Sequence, residues 1–387
     1  MSKPLYFDYS ATTPLDPRVL ESMLPYLREE FGNSSSQNAY GWEAEKAVQK
    51  ARQQAAEAIG CRPQEIFFTS GSTESNNWAL RGLADSFRQE NSAPIHILST
   101  AVEHSSVRMS LDNMQAHAGV QVEYIPTSRD GRVDVEDIRK RIRPTTRIFS
   151  FMWVNNELGS VNPMAEIAAL AREHSIYFHT DATQAVGKLP VDIKKIPVDL
   201  LSLSAHKIYG PKGVGLLFVR SQNPRVSIAP LFYGGGQERD LRSGTVNVPG
   251  VVGLGHALSL VKNSVQEEMD KAWRSRRQLL AAWSKAGLPF RLNGPAEQTA
   301  PQILNLTFPP AGAGTIQLPG VAFSRGSACH ADSLEESHVL QSIGLNAGEA
   351  ENSIRLSFGR PTTPEDFLAL TRLLFSKFKI DSEINSL

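Results

Sequence analysis

Cysteine is almost missing from this chain: only Cys61 and Cys329 occur in 387 residues, too few for a disulfide framework. That scarcity suggests a reducing compartment and makes a reactive thiol the special role open to a cysteine here. An excess of charge of one sign is missing too. Lys and Arg number 40 and Asp and Glu number 40, so no overall field draws the chain to nucleic acid or an anionic membrane. Long apolar runs are also absent: no stretch reaches the roughly 18 residues of a membrane span, and Met1 to Pro14 has no apolar core behind a basic leader. These absences lead to the expectation of a soluble, cytoplasmic protein with no membrane partner and no direct nucleic-acid binding.

The chain is long enough for two or three domains with a large buried core. From Trp42 to Ile59 the residues Ala44, Ala47, Val48, Ala51, Ala55 and Ile59 recur at helical spacing, and Gly60 follows as a stop. Ile66 to Thr69 reads as a short buried strand, followed by a polar glycine turn and a helix around Trp78. Further apolar runs come at Ile95–Ser99, Val120–Ile125, Arg147–Val154, Ile176–Thr180, Leu200–Leu203 and Val214–Val219, with helical patterns at Val135–Ile142 and Met164–His174 between them. Such alternation predicts an α/β fold with a mostly parallel sheet covered on both faces. After Gly255 the texture changes to a long charged helical region, Leu258–Trp283, and then to mixed segments. The expected division is a large domain over 15–257 and a smaller α+β domain formed by 1–14 and 258–387.

The most specific segment is Ser202 to Gly213, where an apolar strand delivers Ser204, His206 and Lys207 onto a Gly/Pro loop. Loops at strand ends are where α/β proteins hold ligands. Asp181 leaves the strand Ile176–Thr180 at a similar strand end. A Schiff-base lysine and an aspartate that keeps a pyridine nitrogen protonated are the pair that pyridoxal 5'-phosphate requires. Its phosphate needs a cradle, and Thr69-Ser70-Gly71-Ser72-Thr73 supplies one at a helix start, where free N–H groups and the helix dipole favour an anion. Taken alone, that segment also reads as an ordinary helix cap.

Seven motifs in order, among them Ser-Ala-His-Lys-Ile-Tyr-Gly-Pro-Lys-Gly, His-Thr-Asp-Ala-Thr-Gln, Thr-Ser-Gly-Ser-Thr-Glu-Ser, Val-Glu-His-Ser-Ser-Val and Arg-Gly-Ser-Ala-Cys, closely resemble the cysteine desulfurases of the NifS/IscS type. These are class V, fold-type I pyridoxal phosphate enzymes, and the resemblance runs from Tyr6 to Arg360. It implies a large domain built on a mostly parallel seven-stranded sheet, with a smaller α+β C-terminal domain. It makes Lys207 the Schiff-base lysine and Asp181 the partner of the pyridine nitrogen. Gln184 bonds the ring hydroxyl with Asn156 nearby, His104 stacks on the ring and relays protons, and Ser72, Thr73, Ser204 and His206 hold the phosphate. Thr245 reaches the phosphate of a neighbouring subunit, which implies a homodimer, while Arg355, assisted by Asn33, grips the carboxylate of the substrate L-cysteine.

Cys329 decides the reaction. It lies among small and polar residues with Arg325 and His330 close in sequence, groups that lower a thiol pKa, whereas Cys61 has no motif and reads as structural. The resemblance implies that L-cysteine becomes L-alanine while its sulfur passes to Cys329 as a persulfide, for delivery to an acceptor protein in iron–sulfur assembly or tRNA or DNA thiolation. Two departures stand out. Ala311 to Gly320 replaces an apolar helix of the family with residues that form helices poorly, and beyond Arg360 the chain lacks the longer tail of housekeeping members. The second departure favours a specialised acceptor. Rival readings are a selenocysteine lyase or aminotransferase using the same lysine, and a sulfur-relay subunit that turns over only with its partner.

Overall fold

The computed structural model describes residues 4–89, 94–116, 119–310, 316–325 and 337–381. The chain opens with strand β1 (Leu5–Tyr6) and helices α1 (Pro17–Arg28) and α2 (Ala39–Ile59). Strands β2 (Ile66–Thr69), β3 (Ile95–Thr100), β4 (Val120–Ile125), β5 (Thr146–Ser150), β6 (Tyr177–Asp181), β7 (Leu200–Ser204) and β8 (Gly215–Val219) then come with helices α3 (Ser72–Gln89), α4 (Ser105–Gln115), α5 (Val135–Arg139) and α6 (Met164–Glu173) between them. Helix α7 (Val248–Lys285) leads to β9 (Arg291–Leu292), β10 (Ile303–Thr307), β11 (Val321–Ala322), α8 (His338–Ser342), α9 (Ala347–Glu351), β12 (Ser353–Ser357) and α10 (Pro364–Phe378).

The seven-stranded sheet has the order β2-β8-β7-β6-β5-β3-β4, and β8 is the single strand that runs against the rest. The expected mostly parallel α/β architecture is therefore present. Its strands β2, β3, β7 and β8 are buried throughout, as a sheet covered on both faces demands, whereas the edge strand β4 is partly exposed. One face packs Phe68, Phe149, Phe178 and Leu201 against α2, α6 and the first half of α7. On the other, Phe67, Ile97, Ile148 and Leu217 meet α3 and α4 through Trp78, Leu83, Val107 and Leu111.

Helix α2 follows its sequence signals. The Asn38 side chain caps its start by accepting from the Gly41 N–H at 3.0 Å, and Gly60 ends it at φ +79°. Its small residues allow a close approach to α7, where a Cβ on Gly255 would lie 2.6 Å from the Ala51 Cα. Other elements depart from the sequence reading. The run Arg147–Val154 leaves the sheet after Ser150 and continues as buried chain, because apolarity reports burial rather than strand pairing. The helical pattern at 135–142 closes after Arg139.

A third apolar cluster gathers Phe7, Leu279, Trp283, Leu304, Leu356 and Phe367 around the three-stranded sheet β12-β10-β9. Helix α7 serves two cores, burying Val251, Leu254 and Leu258 in the first cluster and Ala272, Leu279 and Trp283 in the third. The domain boundary expected at 257/258 thus falls inside one uninterrupted helix. Among the described residues no helix is long and apolar enough to cross a membrane.

Candidate functional site

The parallel strands end along one edge of the sheet, and their carboxyl ends deliver most of the polar residues of a cavity of about 270 Å³. Asp181 is the last residue of β6, Ser204 the last of β7, and Lys207 closes the tight turn that follows. Lys207 Nζ donates to the carbonyls of Ser10 (2.6 Å) and Ala11 (2.7 Å), so the N-terminal segment forms one wall. Thr13 fixes that wall: its N–H and hydroxyl donate to the His206 carbonyl, and its Oγ1 accepts from the Tyr209 N–H at 2.8 Å.

Asp181 is 5% exposed and held by two donors, Asn76 Nδ2 at 2.8 Å and the Thr183 N–H at 2.9 Å. The same Asn76 amide donates to Ser106 Oγ at 2.9 Å, and Ser106 Oγ lies 2.8 Å from His104 Nδ1. His104 caps α4, where its Nδ1 also accepts from the Ser106 N–H at 3.1 Å. An Nδ1 that accepts from a backbone N–H carries the lone pair, so the neutral ring bears its proton on Nε2. A polar chain therefore runs from Asp181 through Asn76 and Ser106 to His104 and fixes that tautomer.

Gln184 donates to the Ser10 carbonyl at 2.9 Å and leaves Oε1 buried without a partner, as are Asn156 Oδ1 and Thr183 Oγ1; all three residues line the cavity. Buried polar atoms need partners, so these three mark where a bound group would be recognised. Ser72 and Thr73 open α3 and are shared, with Ala11 and His206, between this cavity and an adjoining recess that Ser204 also lines. Burial above all, then the charges of Lys207, Lys212 and Lys188, pushes the His206 imidazole down to about 4, so it is neutral at pH 7. Helix N–H groups, hydroxyls and a neutral imidazole make a cradle for an anion.

At the other end stands Arg355, on β12 and 1% exposed. Its Nη2 pairs with Asp8 at 2.8 Å and donates to Ser324 Oγ at 2.9 Å, its Nη1 donates to the Asn156 carbonyl at 3.0 Å, and its Nε has no partner. The guanidinium is thus aimed by three parts of the chain, with Nε left unpartnered.

The structure brings together Lys207, Asp181, Gln184, His104, Asn156, Ser72, Thr73, Ser204, His206 and Arg355. Two other residues stand apart: Asn33 is exposed, its side chain accepting from the Ser35 N–H, and Thr245 is exposed in the loop before α7. Cys329 lies outside the described residues, as do residues 311–315 of the 311–320 segment. Cys61 is half-buried against the first core cluster, where burial pushes its thiol far above the ordinary range.

Two groups escaped the sequence reading. Asn76 sits one helical turn after Ser72, a spacing that puts both on one face of α3 and could have revealed it. Glu103 left no such signal. Its carboxyl is buried beside His104, accepts from the Met152 N–H (2.8 Å) and the Thr100 hydroxyl (3.1 Å), and is pushed up to about 8, chiefly by burial.

The sequence matches the family described as aminotransferase class-V over residues 5–370. A mitosomal cysteine desulfurase of Trachipleistophora hominis is 45% identical over 371 residues, covering 93% of this chain and 82% of the relative. A solved NifS-like protein superposes with a TM-score of 0.85 at 33% identity, over 97% of this chain and 98% of the other. A structure described as SspA in complex with cysteine gives 0.80 at 36% identity, over 92% and 98%. Further cysteine desulfurases similar to this chain are named mitochondrial. Those names overturn the cytoplasmic expectation and point to an organelle; few cysteines indicate a reducing environment, and the cytoplasm is not the only one. By sequence, fold and the residues at the strand ends, the chain belongs to the class-V aminotransferase family, on its cysteine desulfurase branch.

Proposed function

We propose that the cavity holds pyridoxal 5'-phosphate, that its substrate is L-cysteine, and that the sulfur leaves through Cys329. The observation that supports this best is the convergence, at one sheet edge, of a lysine, a buried carboxylate, an anion cradle and an aimed guanidinium. The donor set fits the cofactor: Asp181 would partner a ring nitrogen, the unpartnered Gln184 Oε1 would accept from a ring hydroxyl, and the start of α3 with Ser204 and His206 would take the phosphate. When bound, the cofactor supplies the electron sink that makes the substrate Cα–H removable.

The protein's own groups do the rest. Arg355 offers Nε to the substrate carboxylate while Asp8, Ser324 and the Asn156 carbonyl hold its plane. Asp181 would hold a proton on the ring nitrogen, and Asn76 and Thr183 keep Asp181 in place. Lys207 takes the Cα proton, and His104, its proton on Nε2, relays protons to the substrate. Cys329 thiolate attacks the substrate sulfur: an S–S bond forms, the C–S bond breaks, and its electron pair stays on carbon and is protonated. L-Alanine leaves, and the persulfide on Cys329 passes to an acceptor protein.

A homodimer completes this reading. Phe31 and Tyr40 stack at 5.4 Å on the surface, and Leu27 and Trp42, close to them in sequence, are exposed as well, apolar surface suited to a second copy that would receive Thr245 at its phosphate. Anaerobic incubation with L-cysteine and no reductant tests the central claim. One added sulfur on the Cys329 peptide with matching alanine is expected; alanine without that mass gain would remove Cys329 from the mechanism.

A further inference from the structure

Lys188 follows the tight turn at Gly187 and ends buried. It is 6% exposed and its Nζ has no hydrogen-bond partner; Gln302, 7% exposed, leaves Oε1 unpartnered as well. Both line a second cavity of about 390 Å³, whose lining shares with the first cavity only Lys207. That volume suits a small ligand. A buried donor and a buried acceptor without partners are costly, and the two residues that carry them line the same space. Tyr209, Phe358 and Phe367 give the cavity apolar walls, and the exposed Asn263 and Glu267 of α7 stand at its rim.

The charges around it define the ligand. Arg18 and Arg360 are both engaged by Asp16, and Arg360 also pairs with Glu268. Glu267 and Lys271 are exposed at the rim. Towards the first cavity, Lys207 and Arg355 repel a charge on Lys188, and His206 is neutral at pH 7. The phenols of Tyr9 and Tyr209 are pushed up by burial, so they too are neutral. Among the described residues, no carboxylate therefore stands against the buried Lys188 amine.

We propose that the second cavity binds a small α-hydroxy or α-amino monocarboxylate with an apolar side chain, Lys188 holding the carboxylate and Gln302 Oε1 accepting from the hydroxyl or amine. The site adjoins the first cavity at Lys207 and takes no part in the sulfur transfer. It also carries a pH signature. Burial first, then the Lys207 and Arg355 charges, brings the empty-site amine down to about 7. A bound carboxylate favours the charged amine, so binding takes up a proton above pH 7 and weakens as pH rises.

The test titrates the holoenzyme with (S)-2-hydroxy-3-methylbutanoate, which has no amine to react with a cofactor, and reads heat by calorimetry. Saturable binding at pH 6.5 and affinity on the order of tenfold weaker at pH 8.5 are expected. Lys188→Met and Gln302→Glu should each abolish it, whereas Arg355→Gln, which removes a charge that opposes the Lys188 ammonium, should keep saturable binding. Circular dichroism shows which variants fold; if Lys188→Met does not, the wild-type pH dependence and Gln302→Glu decide. Absence of saturable heat, affinity flat with pH, or loss in Arg355→Gln alone would overturn the proposal, the last by assigning the probe to the first cavity.

Discussion

Asn76 carries more of the site than its place in the sequence suggests, because one amide holds both Asp181 and the Ser106 hydroxyl that reaches His104. Asn76→Ala removes a donor from a buried carboxylate, worth about 1–3 kcal/mol. Alanine formation should fall by roughly tenfold or more, measured as kcat at saturating L-cysteine; unchanged kcat would make the chain from Asp181 to His104 ornamental. Glu103 offers a cleaner pH test. Its carboxyl lies above the ordinary value, so the folded state keeps a proton that the unfolded state releases between about 4.5 and 8. That stabilisation is full below the unfolded value and is lost as pH rises towards 8. Glu103→Gln stays neutral, so in urea unfolding the variant should gain on wild type from pH 5 to pH 8. A difference flat with pH would mean that Glu103 is ionised in the fold. These residues also mark what was legible. Lys207, Asp181 and the α3 start stand in contiguous motifs beside glycine turns, and Asn76 was within reach of helical spacing. Glu103 was not, because burial, not residue type, sets its protonation. Nor could the pairing of Asp8 with Arg355 be read, since nothing local joins residues so far apart in the chain.

At the scale of elements, legibility follows punctuation. Helix α2 was visible because its apolar spacing is closed by Gly60, and its end fell at Ile59 as expected. Gly60 sits at φ +79°, and a Cβ there would come within 2.5 Å of Asp192 Oδ1. Gly60→Ala should therefore destabilise the protein by about 1–2 kcal/mol, from the left-handed backbone alone, read as a lower urea midpoint with unchanged slope. A silent substitution would mean that the α2 end relaxes freely. Where punctuation is lacking, the reading slips. Nothing in Arg147–Val154 says that the chain leaves the sheet after Ser150, since the residues beyond it are at least as apolar and as buried as those of the strand. Helix α7 fails in the opposite way: the change in charge texture after Gly255 is real, but it records a change of packing partner along one helix.

The whole molecule is closed by contacts between the two ends of the sequence. β1 pairs in parallel with β11, Phe7 enters the third core, and the Ser357 N–H donates to the Phe7 carbonyl at 2.7 Å. Asp16 is the polar part of that closure. It caps α1, pairs with Arg18 at 2.7 Å, and reaches Arg360 beyond β12 at 2.8 Å. Hydrogen bonds from Arg18 above all, then the neighbouring positive charges, hold its carboxyl down at about 2 against an ordinary 3.8. A carboxyl depressed in this way stabilises the fold above pH 3.8, and that contribution fades as pH falls through 2. Arg18 is 58% exposed, so solvent screening reduces the effect to about 1–2 kcal/mol at pH 7. Asp16→Asn is the informative change because asparagine caps a helix as well as aspartate does, leaving charge as the difference. Urea unfolding should show the variant less stable by that amount at pH 7 and at pH 5, with the deficit about halved at pH 3. A deficit that persists undiminished at pH 3 would assign the loss to the cap geometry and not to the ion pairs that join the two ends of the chain.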